Sequence, residues 1–438
     1  MSNALTAAER AALIAKRDLV VDLARVFCVL LVVVIHLLMI GVGLDASGAI
    51  VMSRPLEAQT WFPAATWAGQ IMPLFFALGG FTAYTSWRST QRKGGDAWDF
   101  VRGRAMRLAT PALPLFVFFA VALGIATIVG VDPVLLDGVA TGTGSPLWFL
   151  AAFLIAQCLV PVFARLHERA PRATLAALAA GAVVVDAIRA ATGVTEIGLV
   201  NLVFVWGFVQ QLGFWYADGW FKARPAWQLI TLAAASYLLL WPGVGAGWYS
   251  PDMLVNLNPP TVPLALLGIA QLSLLTFLHR PLSALMRTRV AQNVVGLIGS
   301  RAMTVYLWHL PVIVAVAGLT LLIPSAAPEP ASGAWWWTRI PVFVVVLVLV
   351  WLVTIPLARF ETVSPAIPVG SRRPSPVAIV AAAVLAIAPP FAVMQFFLDL
   401  PIALWGSVAL AASVLLVRAR GRRQKGQTSG TYSTANAR

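Results

Sequence analysis

Asp22–His36 reads DLARVFCVLLVVVIH, an apolar run that nevertheless carries an aspartate, an arginine and a histidine. A charged side chain at bilayer depth costs about 2.5–3.5 kcal/mol on insertion scales, so such residues face the protein interior, pair, or line a pathway. Arg25 and His36 are 11 residues apart. That is about three helical turns, which puts them on one helix face roughly 16 Å apart along the axis. Asp22 lies near the same face. One stripe thus holds charge at the start of the helix and a titratable imidazole near its far end.

The surrounding chain makes this helix one of many. With 438 residues, 60% hydrophobic and 11% charged, and a mean hydropathy of +0.84, the chain is too apolar for a soluble protein. It reads as a polytopic protein of the cell membrane. The net charge of +14 does not indicate a nucleic-acid partner, because the basic residues fall between the apolar runs and there mark topology. Cys28 and Cys158 lie within apolar runs and imply neither a disulfide framework nor a zinc site. Residues 1–17 end in Lys16 and Arg17 and imitate a signal-peptide start. The apolar run that follows is about 20 residues long and contains charge, which fits a retained anchor rather than cleavage near Ala46–Ala49.

At about 20 apolar residues per crossing, the sequence predicts an all-α bundle of about 12 spans. Their approximate limits are 19–40, 66–87, 108–130, 147–163, 173–189, 198–217, 226–241, 261–279, 294–320, 340–358, 376–396 and 400–417. Of the 31 lysines and arginines, only Arg54, Arg189 and Arg339 fall outside if the N-terminus is cytoplasmic. The positive-inside rule therefore puts both termini in the cytoplasm. Outer loops at 41–65, 131–146, 242–260 and 321–339 are rich in Gly, Pro and Trp and are expected to fold over the outer mouth. Residues 1–18 form a cytoplasmic N-terminal segment. The basic and then polar tail, 418–438, is expected to be disordered and drawn to anionic lipid.

Three constellations could carry chemistry. His36 is either a base or a helix–helix hydrogen-bonding group. No pair among the four histidines has metal-ligand spacing such as H-E-x-x-H, and no metal is expected. Phe100–Pro111, FVRGRAMRLATP, presents Arg104 and Arg107 at i, i+3 just before the third span. Such a pair suits phosphate, with help from a helix N-terminus, or it simply touches lipid headgroups. Leu297–Pro311, LIGSRAMTVYLWHLP, places Tyr306 and His309 on one face of the ninth span, for packing or for function. Lesser candidates are Gly79-Gly80-Phe81, where glycines permit close helix approach, Trp148 in LWFL at 147–150, which could wall a cavity, and Glu361 after the tenth span.

Taken in order, these motifs resemble those of the membrane-bound acyltransferase-3 family, over about residues 18–365. Arg25 and His36 match its R-x10-H motif and Arg104 and Arg107 its RxxR motif. LWFL, YLWHLP and Glu361 agree as well. The chain departs from the family at Gly79, where a serine often stands, and after Glu361, where Thr362 and Val363 replace the usual proline context. The resemblance implies a ten-span membrane domain at 19–365 followed by an additional hairpin at 366–417.

It also implies transfer of an acyl group, commonly acetyl, from cytoplasmic acyl-CoA to a hydroxyl of a carbohydrate, envelope component or secondary metabolite. Arg104 and Arg107 would then hold the CoA phosphates, with Arg25 and Asp22 lining the entrance. His36 would act as general base, or as the carrier of an acyl-histidine intermediate. Asp22 cannot orient His36, being about 21 Å away on the same helix. Tyr306, Trp148 and His309 are the candidates for that task and for stabilising the oxyanion. A proton-coupled secondary transporter, with His36, Arg25 and Tyr306 lining the path, is the competing class. The absence of an internal repeat weighs against it.

Overall fold

The computed structural model describes residues 18–323, 327–361, 371–418 and 420–421. In chain order the helices are α1 (Leu19–Met39), α2 (Phe62–Gly69), α3 (Met72–Arg92), α4 (Ala97–Ile128), α5 (Pro133–Gly144), α6 (Leu147–Arg169), α7 (Pro171–Thr192), α8 (Asn201–Ala217), α9 (Ala226–Gly245), α10 (Val262–Phe277), α11 (His279–Leu285), α12 (Arg289–Gly299), α13 (Ala302–Thr320), α14 (Gly333–Glu361), α15 (Pro376–Phe396) and α16 (Leu400–Val417). Among the described residues, 11 helices or near-continuous helix pairs are long and apolar enough to cross a membrane. The bent pair α10 and α11 makes a twelfth if it is one span. The chain is a polytopic helical membrane protein.

Local sequence explains where these helices begin and break. Asp18 caps α1 by accepting the Val20 amide proton at 3.2 Å, and Asp22 in the first turn suits the positive end of the helix dipole. α10 turns by 58° into α11 at Leu278. Pro281 lies three residues on, where it lacks an amide proton and its ring would collide with the Phe277 carbonyl, so the α10 ladder ends there. The run predicted as one span at 294–320 is instead two helices. α12 is a short amphipathic helix started by a Thr288 cap. It stops at Gly299, after which Arg301 leaves helical geometry at φ −127° and ψ 18°.

A second correction concerns Arg104 and Arg107. The helix that carries them does not start beside them. It starts at Asp96, where a reciprocal capping box with Asp99 closes the first turn. Both arginines therefore stand two to three turns inside α4. The field of a helix terminus fades within the first turn, so it adds nothing to anion binding at this pair.

The bundle is tightest where α3 meets α8. A Cβ on Gly80 would lie 2.3 Å from the Gln210 carbonyl oxygen, and one on Gly213 would lie 2.0 Å from that of Ala77. The two backbones touch without intervening side chains, as small residues allow in a membrane. On the other side of the bundle, α1, α13 and α14 share an apolar cluster that includes Val33, Leu37, Leu310, Ile313 and Val346. α15 and α16 pack on each other, α15 on α4 and α6, and α16 on α4. The predicted domain boundary near 365 lies outside the described residues, as do the N-terminal residues 1–17 and the tail from 422.

Two of the loops between spans carry structure of their own among the described residues. β1 (Gly41–Leu44) and β2 (Ile50–Ser53) form an antiparallel hairpin with Gly41 opposite Ser53. α2 and the loop after α9 are stitched together by Trp67 Nε1 donating to Pro251 O at 2.8 Å and by Met253 N donating to Thr66 Oγ1 at 2.9 Å. Buried Asp186 accepts from Asn201 Nδ2, Tyr249 Oη and Val262 N, tying α7 to α8, to the same loop and to the start of α10.

Candidate functional site

α1 and α13 lie side by side because both present β-branched and leucine side chains to one shared cluster. That packing brings His36 against His309. Their ring centres are 5.0 Å apart, and His36 Nδ1 lies 2.8 Å from His309 Nε2. His309 is fully buried, whereas His36 is half-buried. His309 Nδ1 lies 2.5 Å from the Tyr306 carbonyl oxygen one turn back. The Tyr306 hydroxyl donates to the Pro146 carbonyl oxygen at 2.5 Å, so the residue just before LWFL is tied to YLWHLP.

A cavity of about 180 Å³ lies on the Tyr306 side of this pair. It gathers Arg25 from α1, Arg104 and Arg107 from α4, Tyr306 from α13 and Glu361 from α14. Three arginines from two helices thus face one space, with Arg104 half-buried over the Phe100 ring at 4.7 Å and Arg107 exposed. A second cavity, of about 270 Å³, adjoins it and shares Arg25, Val29, Phe75 and Ser300. Asp22 opens onto this second space beside Met286 and Gln292. Neither histidine lines either cavity. On α1 the lining stops at Val29, about 10 Å short of His36 along the helix.

The wall at that level is aromatic. Phe149 sits 4.9 Å from Tyr306 and 5.1 Å from Phe75, centre to centre, and Phe153 stacks on Phe149 at 5.3 Å. The sequence offers Trp148 either as a cavity wall or as an anchor at the membrane interface. Trp148 instead turns away toward Trp206, at 6.2 Å, and the lining residues are its neighbour Phe149 and Phe153 one turn on. The i, i+4 spacing of these phenylalanines was the available signal. Thr82, Gln157 and Met303 also line the cavity and carried no signal in the sequence.

Glu361 has a specific partner. Its carboxylate accepts the Thr304 amide proton, at the third residue of α13. An acidic group at a helix N-terminus is favourable there, so Glu361 joins the end of α14 to the start of the helix bearing Tyr306 and His309. Gly79 also has a steric reason to be glycine in this chain. A Cβ there would lie 2.7 Å from the Phe153 ring. Among the described residues no cluster of three or more His, Cys, Asp or Glu side chains could hold a metal ion.

The site thus has a cationic compartment, an aromatic wall, and behind the wall a pair of hydrogen-bonded imidazoles. None of the curated proteins and none of the solved structures compared with the chain matches it. A family model described as an acyltransferase domain matches residues 18–359, most of the chain. The protein therefore belongs to the membrane acyltransferase-3 family.

Proposed function

We propose that the chain transfers an acyl group, acetyl in the simplest case, from cytoplasmic acyl-CoA to a hydroxyl of a carbohydrate, an envelope component or a secondary metabolite. The observation that carries this reading is that Arg25, Arg104 and Arg107 share one cavity with Tyr306, whose carbonyl is bonded to the His309 ring of the His36–His309 pair. Charge distribution along the chain puts the Arg25 end of α1 on the cytoplasmic side.

Arg104 and Arg107 hold the CoA phosphates, for which a forked guanidinium is the fitting donor. Arg25 continues the cationic path, and Asp22 lies at the mouth. The roughly 16 Å between Arg25 and His36 is of the order of a pantetheine arm. The arm reaches His36 by parting the wall of Phe75, Phe149 and Tyr306.

His36 then takes the proton of the acceptor hydroxyl as that oxygen attacks the thioester carbonyl. The carbon–sulfur bond breaks, and the proton passes to the departing CoA thiolate. Such base assistance is worth typically ~10²–10⁴ in rate. Residues 19–365 form the catalytic domain in this reading and 366–417 an accessory hairpin. Lipids surround both.

The test is acetyl-CoA binding to the purified protein in lipid nanodiscs. Replacing Arg104 and Arg107 together by Gln is expected to weaken binding by about tenfold or more, since hydrogen bonds to charged groups contribute about 1.5–3 kcal/mol each. Unchanged affinity would overturn the assignment of the phosphate site.

A further inference from the structure

We propose that His309 is a positioning residue that sets the tautomer of His36 and leaves the His36 Nε2 lone pair for the acceptor's proton. The inference rests on the acyl-transfer reading for its chemistry, but its geometry is independent of it. The Tyr306 carbonyl oxygen can only accept, so His309 Nδ1 at 2.5 Å carries the proton between them. A neutral imidazole has a single N–H, and His309 Nε2 is therefore a bare acceptor.

The nitrogen 2.8 Å from it, His36 Nδ1, must then be the donor. By the same rule His36 Nε2 has no proton. Among the described residues, no hydrogen-bonding partner of either ring is a carboxylate. Both rings sit between helices joined by valines and leucines. A resting imidazolium at fully buried His309 would be a charge with no counter-ion, which is costly, so His309 is neutral, and half-buried His36 is neutral in the form that serves as a base.

This chain of donors starts at a backbone carbonyl and ends at a free lone pair. Its logic is that of any base held by a third group. When His36 accepts the hydroxyl proton on Nε2, its Nδ1–H is already held by His309 Nε2, so the imidazolium forms with its far side hydrogen-bonded. When the proton moves on to the CoA thiolate, the resting tautomer is restored with no ring flip.

Because the chain has four histidines, ¹⁵N-histidine labelling of the full protein in nanodiscs gives few ring signals, and His36→Ala identifies those of His36. The expected result is an Nδ1–H tautomer at His36 in the wild type and a shift to the Nε2–H form, the intrinsic preference of an unconstrained histidine side chain, in His309→Phe. CoA release from acetyl-CoA, in membranes containing the protein, supplies the second readout. His309→Phe should lower kcat by about 100-fold with the KM for acetyl-CoA within about threefold, and His309→Gln, whose Oε1 can still accept from His36, should recover about tenfold of that loss.

An Nε2–H tautomer in the wild type, equal rates for the Phe and Gln variants, or a loss confined to KM would each overturn the proposal. If His309→Phe does not fold, the wild-type tautomer and the Gln variant still decide it. Absence of acetyl-CoA turnover by the wild type would count against acyl transfer, while the tautomer would still decide whether His309 positions His36.

Discussion

Arg102 Nε donates to the carbonyl oxygen of Val417 at 2.8 Å, joining the helix of the arginine pair to the last residue of α16. Arg102 is only 3% exposed. The carbonyls at a helix C-terminus lack partners within the helix, and here a side chain from α4 supplies one. Arg373, just before α15, pairs with Asp96 and Asp99 at the start of the same α4. The α15–α16 hairpin is thus fastened at both of its ends to the base of α4. Arg102→Met is expected to destabilise the detergent-solubilised protein by about 1–3 kcal/mol, the cost of leaving a buried acceptor unpaired. Thermal denaturation followed by size-exclusion chromatography measures it, and an unchanged midpoint would show that the link is unimportant.

Neighbouring glycines on α3 should respond differently to the same change. At Gly80 an added methyl would meet the Gln210 backbone, which cannot yield without separating α3 from α8. Gly80→Ala should sharply reduce the yield of folded protein. At Gly79 the obstacle is the end of the Phe153 side chain, so Gly79→Ser should fold. Because Phe153 lines the cavity, this variant should change acetyl-CoA affinity. Equal yields for the two variants would contradict the backbone contact.

Glu361 can be tested as a helix cap. Glu361→Gln keeps an oxygen that can accept from Thr304, so it should cost no more than about 1 kcal/mol, whereas Glu361→Leu should cost more. The affinity for acetyl-CoA should stay near that of the wild type in Glu361→Gln. A large loss of affinity with unchanged stability would assign Glu361 to the substrate instead.

At the N-terminal end of α1, burial tends to raise the Asp18 carboxyl. Lys222 Nζ at 2.7 Å and His279 outweigh this and hold it below the ordinary 3.8. A carboxyl lowered on folding adds stability above its unfolded value, and that stability is lost as pH falls through the folded value. The contribution should therefore be intact at neutral pH and disappear below about pH 4. Asp18→Asn should remove that part of the acid sensitivity, as read by thermal midpoints across a pH series. An identical acid profile in wild type and variant would refute it.

Much of this was legible in the sequence because membrane insertion leaves few choices. A long apolar run must be a helix, and Arg25 and His36 on one such run must share a face. Helix interruptions were harder to read, since Gly299 and Ser300 are ordinary residues in a spanning helix and only the surrounding packing makes them a break. The start of α4 was missed for a related reason. Its first two turns, AWDFVRG, mix apolar residues with Asp99 and Arg102, and hydropathy does not register a helix secured by Asp96 and Asp99. Phe149 and Phe153 look like any packed phenylalanines until α3, α6 and α13 are brought together. The His36–His309 pair spans 273 residues and depends on tertiary structure alone.

The central claim is that His36 is the base. Its direct measurement is acetyl-CoA-dependent CoA release by His36→Ala compared with the wild type, both in nanodiscs supplied with an extract of the native envelope as acceptor. Turnover should fall by at least about 100-fold, with acetyl-CoA binding retained because the arginine site is untouched. Turnover within about threefold of the wild type, on the same scale, would contradict the account.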